Sequence, residues 1–167
     1  ATPAAEAAAP PAEAPTLTLA QAEAGTSEIT FADLGLSAPM LASLRAAGYE
    51  RPTPIQAQAV PLALKGRDLM GLAQTGTGKT AAFTIPIIER LMGGPTRTRA
   101  LILTPTRELC QQVEASIRKY SGGTGLDVIS VYGGVGYDAQ TTALKNGVDI
   151  VVATPGRLID QIGRAHV

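Results

Sequence analysis

The sequence predicts an α/β fold with a mostly parallel sheet that helices cover on both faces. The prediction depends on two observations. Short apolar runs, partly β-branched, alternate with longer stretches of helical periodicity, which is the pattern of strand–helix–strand units. A loop rich in glycine and threonine also separates one of these runs from the helix that follows it. Because crossovers between parallel strands are right-handed, the loops after the strands are expected at one edge of the sheet, where such folds bind ligands.

Composition excludes several classes of protein. The chain has 167 residues, 45% of them hydrophobic, which is enough for a core and argues against a wholly disordered chain. Its single cysteine cannot form an internal disulfide, so we exclude a disulfide-stapled secreted protein and expect a reducing, cytoplasmic location. No apolar run approaches the roughly 18 residues of a membrane span. We therefore expect no membrane partner.

The first 28 residues differ from the rest. Residues 1–28 consist largely of Ala, Pro, Glu and Thr, with few large apolar side chains to bury, so we predict a disordered extension. They carry four glutamates and no Lys or Arg, a net charge of −4. In residues 29–167, 14 basic residues stand against 10 acidic ones, a net charge of +4. A mildly basic body is compatible with a polyanionic partner.

The helices and strands follow from caps, glycines and apolar runs. One helix is predicted between its cap at Ser37 and Gly48, and a second begins at Thr53 and Pro54 and ends at Gly66. A short strand is predicted at Asp68–Leu72, and strands buried on both faces are predicted at Ala100–Leu103, Val128–Val131 and Val148–Ala153. Further helices are predicted at Lys79–Met92, Thr106–Tyr120 and Asp138–Lys145, and from Arg157 onward.

The strongest motif is Ala73-Gln74-Thr75-Gly76-Thr77-Gly78-Lys79-Thr80, between a predicted strand and a helix. Glycines let the backbone wrap closely enough for its N–H groups to point at phosphate oxygens, at the positive end of the following helix. Lys79 can reach the β- and γ-phosphates, and Thr80 can place its hydroxyl on Mg²⁺. The motif departs from the strict pattern only at Ala73, where that pattern has Gly. The alternative is a glycine-rich turn without a ligand.

A second segment, upstream of this loop, has the residue types that recognise adenine. Gln56 could pair with the N6 and N7 edge of adenine, which guanine cannot match. Tyr49 offers an aromatic face on which a base can stack. The alternative is a capped helix that happens to bear a glutamine.

Two turns share one design. Thr104-Pro105-Thr106-Arg107 and Thr154-Pro155-Gly156-Arg157 each follow a predicted strand and precede a helix. Each presents free N–H groups at a helix start together with an arginine, which suits a backbone phosphate. The pair Gly133-Gly134 offers another point of close approach. Each turn alone could be an ordinary strand–helix connection, but two at the edge that holds the phosphate loop predict an extended polyanion beside the nucleotide.

In combination, these segments resemble the first RecA-like domain of DEAD-box ATP-dependent RNA helicases. Phe31 with Gly48–Gln56 resembles the Q motif, and Ala73–Thr80 resembles motif I, in which Ala is usual at the first position. Pro105–Leu109 resembles motif Ia, Gly133-Gly134 the GG motif and Thr154–Arg157 motif Ib. They occur in the family's order over most of residues 29–160. The resemblance implies a RecA-like P-loop NTPase domain.

The resemblance also implies a role for each matched residue. An adenine pocket would involve Phe31, Tyr49 and Gln56. The phosphates would be held by Thr75, Gly76, Thr77, Gly78, Lys79 and Thr80, with Lys79 and Thr80 catalytic and Thr80 the Mg²⁺ ligand. Single-stranded or duplex RNA would be contacted through its backbone by Pro105, Thr106, Arg107, Gly133, Gly134, Thr154, Pro155, Gly156 and Arg157. The implied activity is ATP-dependent unwinding or remodelling of RNA.

The chain also departs from the family's pattern, and these departures are as informative as the matching motifs. Motif II, Asp-Glu-Ala-Asp, does not occur in these 167 residues, and neither does the Ser-Ala-Thr motif. We therefore expect residues 29–161 to be a partial first domain, incomplete at its C-terminus and inactive alone, and residues 162–167 to be a non-native tail. In the family, two strands from the absent segment lie between the strands at Asp68–Leu72 and Ala100–Leu103. A break in the sheet is expected beside Asp68–Leu72.

Two other functions remain open on the sequence: a different P-loop NTPase acting on DNA, and a non-catalytic nucleotide- or RNA-binding module. Cys110 shares a helix face with Val113 and Ile117, so we expect it in the core without a catalytic role. His166 is assigned no role.

Overall fold

The computed structural model describes residues 16–17 and 29–165. The strands are β1 (Thr16–Leu17), β2 (Met70–Gly71), β3 (Ala100–Leu103), β4 (Val128–Val131) and β5 (Ile150–Ala153). The α-helices are α1 (Ala38–Ala46), α2 (Pro54–Leu64), α3 (Lys79–Leu91), α4 (Arg107–Tyr120), α5 (Asp138–Asn146) and α6 (Pro155–Ala165), and a 3-10 helix spans Phe31–Leu34. Among the described helices, none combines the length and the apolar character that crossing a bilayer requires.

Three strands form a parallel sheet in the order β3-β5-β4. In register, Leu103 is the partner of Ala153, which in turn is the partner of Val131. The three strands therefore end at the same level, and the loops that follow them meet at one edge. This arrangement confirms the predicted α/β fold with a parallel sheet.

The central strand, β5, is covered on both faces, and its four residues are all buried. Ile150 and Val152 belong to the core that includes residues of α3 and α4. Val151 and Ala153 pack on the opposite face, in a cluster that includes Leu144 of α5 and Leu158 of α6. The prediction that this strand is buried on both faces is therefore confirmed, because helices cover both faces of the sheet at β5.

The prediction that each strand is buried on both faces is wrong for β3. Leu101 and Leu103 are 52% and 56% exposed, although Ile102 between them is buried. The physical reason is position, because β3 is the outer strand of the described three-stranded sheet. The helices on that face, α5 and α6, pack against β4 and β5 instead.

The strand before the phosphate loop is shorter than predicted and stands apart from the main sheet. Only Met70 and Gly71 of the predicted Asp68–Leu72 run have ladder partners, and these lie in β1. A 660 Å³ cavity lies beside β2, and its walls include Gly71, Phe83 of α3 and Thr104 after β3. The expected break in the sheet is therefore observed.

Strand β1 lies inside the extension that was expected to be disordered. Thr16 pairs with Met70, and Leu17 pairs with Gly71. An edge strand presents free N–H and C=O groups that accept another segment of chain, which gives a physical reason for this short pairing. The other residues of the extension, with His166 and Val167, lie outside the described residues.

The helices begin and end close to the predicted signals, but neither Ser37 nor Thr53 makes a side-chain cap hydrogen bond, and α6 begins at Pro155 instead of Arg157. Ser37 precedes α1, as expected, but its hydroxyl donates to the Glu89 carboxylate of α3 at 3.1 Å instead of capping its own helix. Cys110 is fully buried, and its thiol donates to the carbonyl oxygen of Val152 at 3.1 Å. Cys110 therefore lies in the core, as predicted, and burial raises the pKa of its thiol.

Candidate functional site: a phosphate loop and a strand-end edge

The glycine-rich loop connects β2 to α3 and folds back on the first side chain of that helix. Lys79 begins α3, and its ammonium group donates to the carbonyl oxygen of Gln74 at 2.7 Å and to that of Ala73. Thr77 also donates its hydroxyl to the carbonyl oxygen of Gln74, at 2.8 Å. The loop therefore curls around the Lys79 ammonium, which donates to two of the loop's backbone carbonyl oxygens.

Gln56 packs beneath the end of this loop. Its side-chain amide donates to the carbonyl oxygen of Gly78 at 3.1 Å, and its side-chain oxygen accepts from the N–H of Thr53 at 3.0 Å. The residue is only 2% exposed. A Cβ on Gly78 would lie 2.4 Å from Nε2 of Gln56, and φ of Gly78 is +87°. Glycine is therefore required at Gly78 for two reasons, its backbone conformation and the close approach of Gln56.

This contact was missing from the sequence prediction, which gave Gln56 only the edge of a base to recognise. A signal for it was present. Thr53 and Gln56 are three residues apart at a helix start, the spacing at which a glutamine side chain reaches back to the cap backbone. The structure thus ties the start of α2 to the phosphate loop.

Two of the residues predicted for the adenine pocket, both aromatic, line one pocket. Phe31 and Tyr49 both line a 490 Å³ pocket with Arg45 and Glu50, and Gln56 is not among the residues that line it. Phe31 is 3% exposed and belongs to the main core. The structure therefore brings together two of the three residues predicted to form this pocket.

Tyr49 makes a contact that the sequence did not reveal. Its ring meets the ring of Tyr120 edge to face, with centroids 5.1 Å apart, and the two hydroxyls share a hydrogen bond of 3.1 Å. Lys119 also lies over the Tyr49 ring, with its nitrogen 4.8 Å from the ring centroid. Burial, with the hydrogen bond to Tyr49, raises the pKa of Tyr120 to about 12. The last turn of α4 thus fixes the position of Tyr49.

Thr80, the residue predicted to bind Mg²⁺, lies at the start of the helix that follows the glycine-rich loop. It is the second residue of α3 and lines the 660 Å³ cavity together with Lys79 and Thr104. No group of three or more His, Cys, Asp or Glu that could hold a metal occurs within the described residues. A single hydroxyl nevertheless fits Mg²⁺, because that ion usually keeps several waters and takes phosphate oxygens as its other ligands.

The two Thr-Pro turns lie side by side at the carboxyl ends of β3 and β5. The N–H of Thr104 donates to the carbonyl oxygen of Ala153, and the N–H of Thr154 donates to that of Val131, both at 2.9 Å. Thr106 caps α4 by accepting from the N–H of Leu109 at 3.2 Å. Pro105, Thr106, Pro155 and Gly156 are exposed and Thr154 is half-buried. The edge predicted to contact RNA is therefore accessible to solvent, and equivalent hydrogen bonds hold its two turns against the neighbouring strands.

Arg107 adjoins the Gly133-Gly134 turn. Its guanidinium carbon lies 5.0 Å from the ring centroid of Tyr132, the last residue before the glycines. A Cβ on Gly134, whose φ is +85°, would stand 3.5 Å from Nη1 of Arg107. The structure therefore brings the first predicted arginine and the glycine pair together.

Arg157 approaches the same turn from the other side. Its guanidinium donates to the carbonyl oxygen of Val135 at 2.9 Å and to the side-chain oxygen of Gln140 at 3.4 Å. Its carbon lies 4.0 Å from the ring centroid of Tyr137. Both arginines thus border one turn, residues 132–137, and each lies over a tyrosine ring.

Three residues of this edge were absent from the sequence prediction: Tyr132, Tyr137 and Gln140. The tyrosines had a signal, because they flank the glycine pair at the turn where arginines were expected, and arginine favours aromatic faces. Gln140 had none, since a glutamine in the first turn of a polar helix is unremarkable in a sequence.

Comparison with known proteins identifies the family. A family model described as DEAD/DEAH box helicase matches residues 53–166. The chain belongs to this family. This DEAD/DEAH box helicase chain is 50% identical over 138 residues to "ATP-dependent RNA helicase DeaD" of Escherichia coli strain K12. It is 49% identical to the protein of that name from Klebsiella pneumoniae. Each match covers 82% of this chain but 22% of the relative, so the chain spans about a fifth of the length of the curated relatives it matches.

A solved helicase structure supports the fold. The crystal structure of a hypothetical ATP-dependent RNA helicase from Sulfolobus tokodaii matches with a TM-score of 0.69 at 40% sequence identity. The match covers 77% of this DEAD/DEAH box helicase chain and 37% of the Sulfolobus chain. The expected RecA-like helicase fold is confirmed.

Proposed function

We propose that the chain carries the phosphate loop and part of the RNA surface of a DEAD-box ATP-dependent RNA helicase. In its complete form, with the length that its relatives have, the protein would hydrolyse ATP with Mg²⁺ to unwind or remodel RNA. The observation that carries the proposal is the shared cavity whose walls include Lys79, Thr80 and Thr104, the first residue of the strand-end edge. The DeaD relatives are named as ATP-dependent RNA helicases, and a cytoplasmic location is part of the proposal.

Phosphate binding would exploit the way in which Lys79 is held. Its ammonium donates to neutral carbonyls of Ala73 and Gln74. A charged phosphate oxygen is a stronger acceptor than a neutral carbonyl, so a bound nucleotide would attract the ammonium away from these carbonyls. The backbone N–H groups at the start of α3 face the same space and add the positive end of the helix dipole.

Thr80 would hold Mg²⁺ through its hydroxyl. When bound, Mg²⁺ supplies positive charge that stabilises the negative charge developing on the transferred phosphoryl group. Thr80 lies in the first turn of α3, where its backbone carbonyl accepts the Thr84 hydroxyl at 2.7 Å.

RNA would be bound through its backbone. Arg107 is exposed and Arg157 is half-buried beside the glycine turn, and arginine suits phosphate because its N–H groups form a planar fork. Gly134 lets a sugar-phosphate backbone approach closely. Contacts to phosphate and sugar carry no sequence information, so the enzyme would act on RNA with little sequence preference.

A substitution at Gln56 tests nucleotide recognition. In the complete protein, Gln56→Ala should weaken both ATP and GTP, because the Gly78 carbonyl at the loop loses its partner. ATP should lose about 1–3 kcal/mol more than GTP, since only adenine matches the glutamine amide. Titration with the two nucleotides measures the difference, and Gln58→Ala on the same helix is the control. Equal losses would leave Gln56 with a packing role only.

Replacing both edge arginines tests the RNA surface. Arg107→Ala with Arg157→Ala should weaken binding of every single-stranded RNA alike and lower the log–log salt slope by about 1.4, since each phosphate contact contributes roughly 0.7. Arg118→Ala is the control, because Arg118 pairs with Glu114 away from the edge. ATP hydrolysis stimulated by DNA as strongly as by RNA, or losses confined to particular sequences, would contradict the proposal.

A further inference from the structure

Gln140 is a buried polar residue that the proposed function leaves without a role. It lies in the first turn of α5 and is 6% exposed. Its amide nitrogen donates to the carbonyl oxygen of Tyr132 at 3.1 Å, and its oxygen accepts from Arg157 at 3.4 Å. One side chain therefore connects the start of the glycine turn to the guanidinium that borders it.

Arg157 is held from three directions. Gln140, the carbonyl oxygen of Val135 and the ring of Tyr137 all contact its guanidinium. A guanidinium has five N–H groups, and these contacts use two of them. The remaining donors are available to a phosphate, while the contacts fix the plane of the group.

The chemistry of Gln140 suits this task. A carboxylate in its place would cancel the charge of Arg157 and compete with RNA. The amide is neutral, so it orients the arginine without cancelling that charge, and a hydrogen bond to a charged phosphate would be stronger than the one to the amide.

We propose that Gln140 is a positioning residue for RNA binding, whose amide fixes the 132–137 turn and the Arg157 guanidinium relative to each other before RNA arrives. Arg107 contacts the same turn through Tyr132 and Gly134, so the turn carries both arginines in a defined geometry. The inference rests on the proposed function, because it assumes that Arg157 binds a phosphate.

The experiment is Gln140→Met in the complete protein, with single-stranded RNA titrated at several salt concentrations. Methionine keeps the volume and removes both hydrogen bonds. The dissociation constant should rise roughly 3- to 10-fold, which is the cost of ordering one long side chain on binding. The salt slope should also fall, by less than the roughly 0.7 of one phosphate contact, because a guanidinium that is no longer held in place makes that contact in only part of the complexes.

Gln161→Met is the matched control. Gln161 is a second buried glutamine, 8% exposed on α6, whose oxygen accepts from Thr141 of α5 at 3.2 Å. It resembles Gln140 in burial and in joining the two helices, but its hydrogen bond does not involve Arg157. Thermal unfolding of both variants measures any loss of packing, and only Gln140→Met should alter the RNA salt slope.

Two further variants separate positioning from packing. In an Arg157→Ala background, Gln140→Met should add less than a twofold change, because the residue that it positions is absent. Gln140→Glu keeps the shape of the side chain and should weaken RNA binding more than methionine does, since its charge neutralises Arg157.

The outcomes distinguish this inference from the function on which it rests. If Arg157→Ala leaves RNA binding unchanged, the RNA surface itself is wrong and the inference fails with it. If Arg157→Ala weakens binding but Gln140→Met does not, only the inference fails. Equal effects of Gln140→Met with and without Arg157, or an equal change in the salt slope for Gln161→Met, would assign Gln140 a packing role and overturn the proposal.

Discussion

Lys79→Ala is expected to abolish ATP hydrolysis by the complete protein, with a loss of at least about 100-fold. The lysine supplies the positive charge within the phosphate loop, and removing one such group from a preorganised site typically costs two to three orders of magnitude in rate. The loop should also lose shape in the free protein, because the ammonium links the carbonyls of Ala73 and Gln74.

Release of phosphate in the presence of saturating RNA measures this effect. Lys65→Ala, at the end of α2, is the control for loss of a positive charge elsewhere and should hydrolyse ATP at the parental rate. Turnover by Lys79→Ala within twofold of the parental rate would contradict the assignment of this loop as the phosphate site.

Gly78→Ala should weaken ATP binding at least about tenfold. A residue other than glycine at this positive φ costs about 1–2 kcal/mol, and the new methyl group would meet Nε2 of Gln56 at 2.4 Å. Gln56 is buried and bonded at both ends of its amide, so it cannot move aside without breaking those bonds. The loop should therefore shift away from α2.

Gly76→Ala is the matched control for this second variant. Gly76 also has a positive φ, +83°, but a Cβ there would have nothing within 4 Å. The two variants share the backbone strain and differ in the collision with Gln56. Titration with ATP should therefore show a larger loss for Gly78→Ala, and equal losses would mean that the contact with Gln56 is unimportant.

Local signals in the sequence were sufficient for most of the helices. Thr106 before α4 and the Thr53–Pro54 pair before α2 act on neighbouring backbone groups, so their effects can be recognised without knowing the fold. The β5 strand was similarly evident from its β-branched run, because burial on both faces requires apolar residues throughout.

Features that depend on distant contacts could not be predicted in the same way. Leu101 and Leu103 have the same apolar pattern as a central strand, and their exposure depends on β3 lying at the edge of the described sheet. The site shows the same division. Lys79 and Thr80 follow from a contiguous motif, whereas the Tyr49–Tyr120 pair joins residues 71 positions apart, which no local pattern encodes.

The isolation of β2 from the main sheet has a consequence for how the protein opens. β5 is hydrogen-bonded to a strand on each side, so its amide protons should exchange with solvent only when the whole unit opens, at a free energy near that of global unfolding. Within the described residues β2 pairs over two positions with β1, so its amides should exchange through local opening. The strand that leads into the phosphate loop is thus less protected than the sheet centre, and a nucleotide that binds only the ordered loop would slow this local exchange in proportion to its affinity.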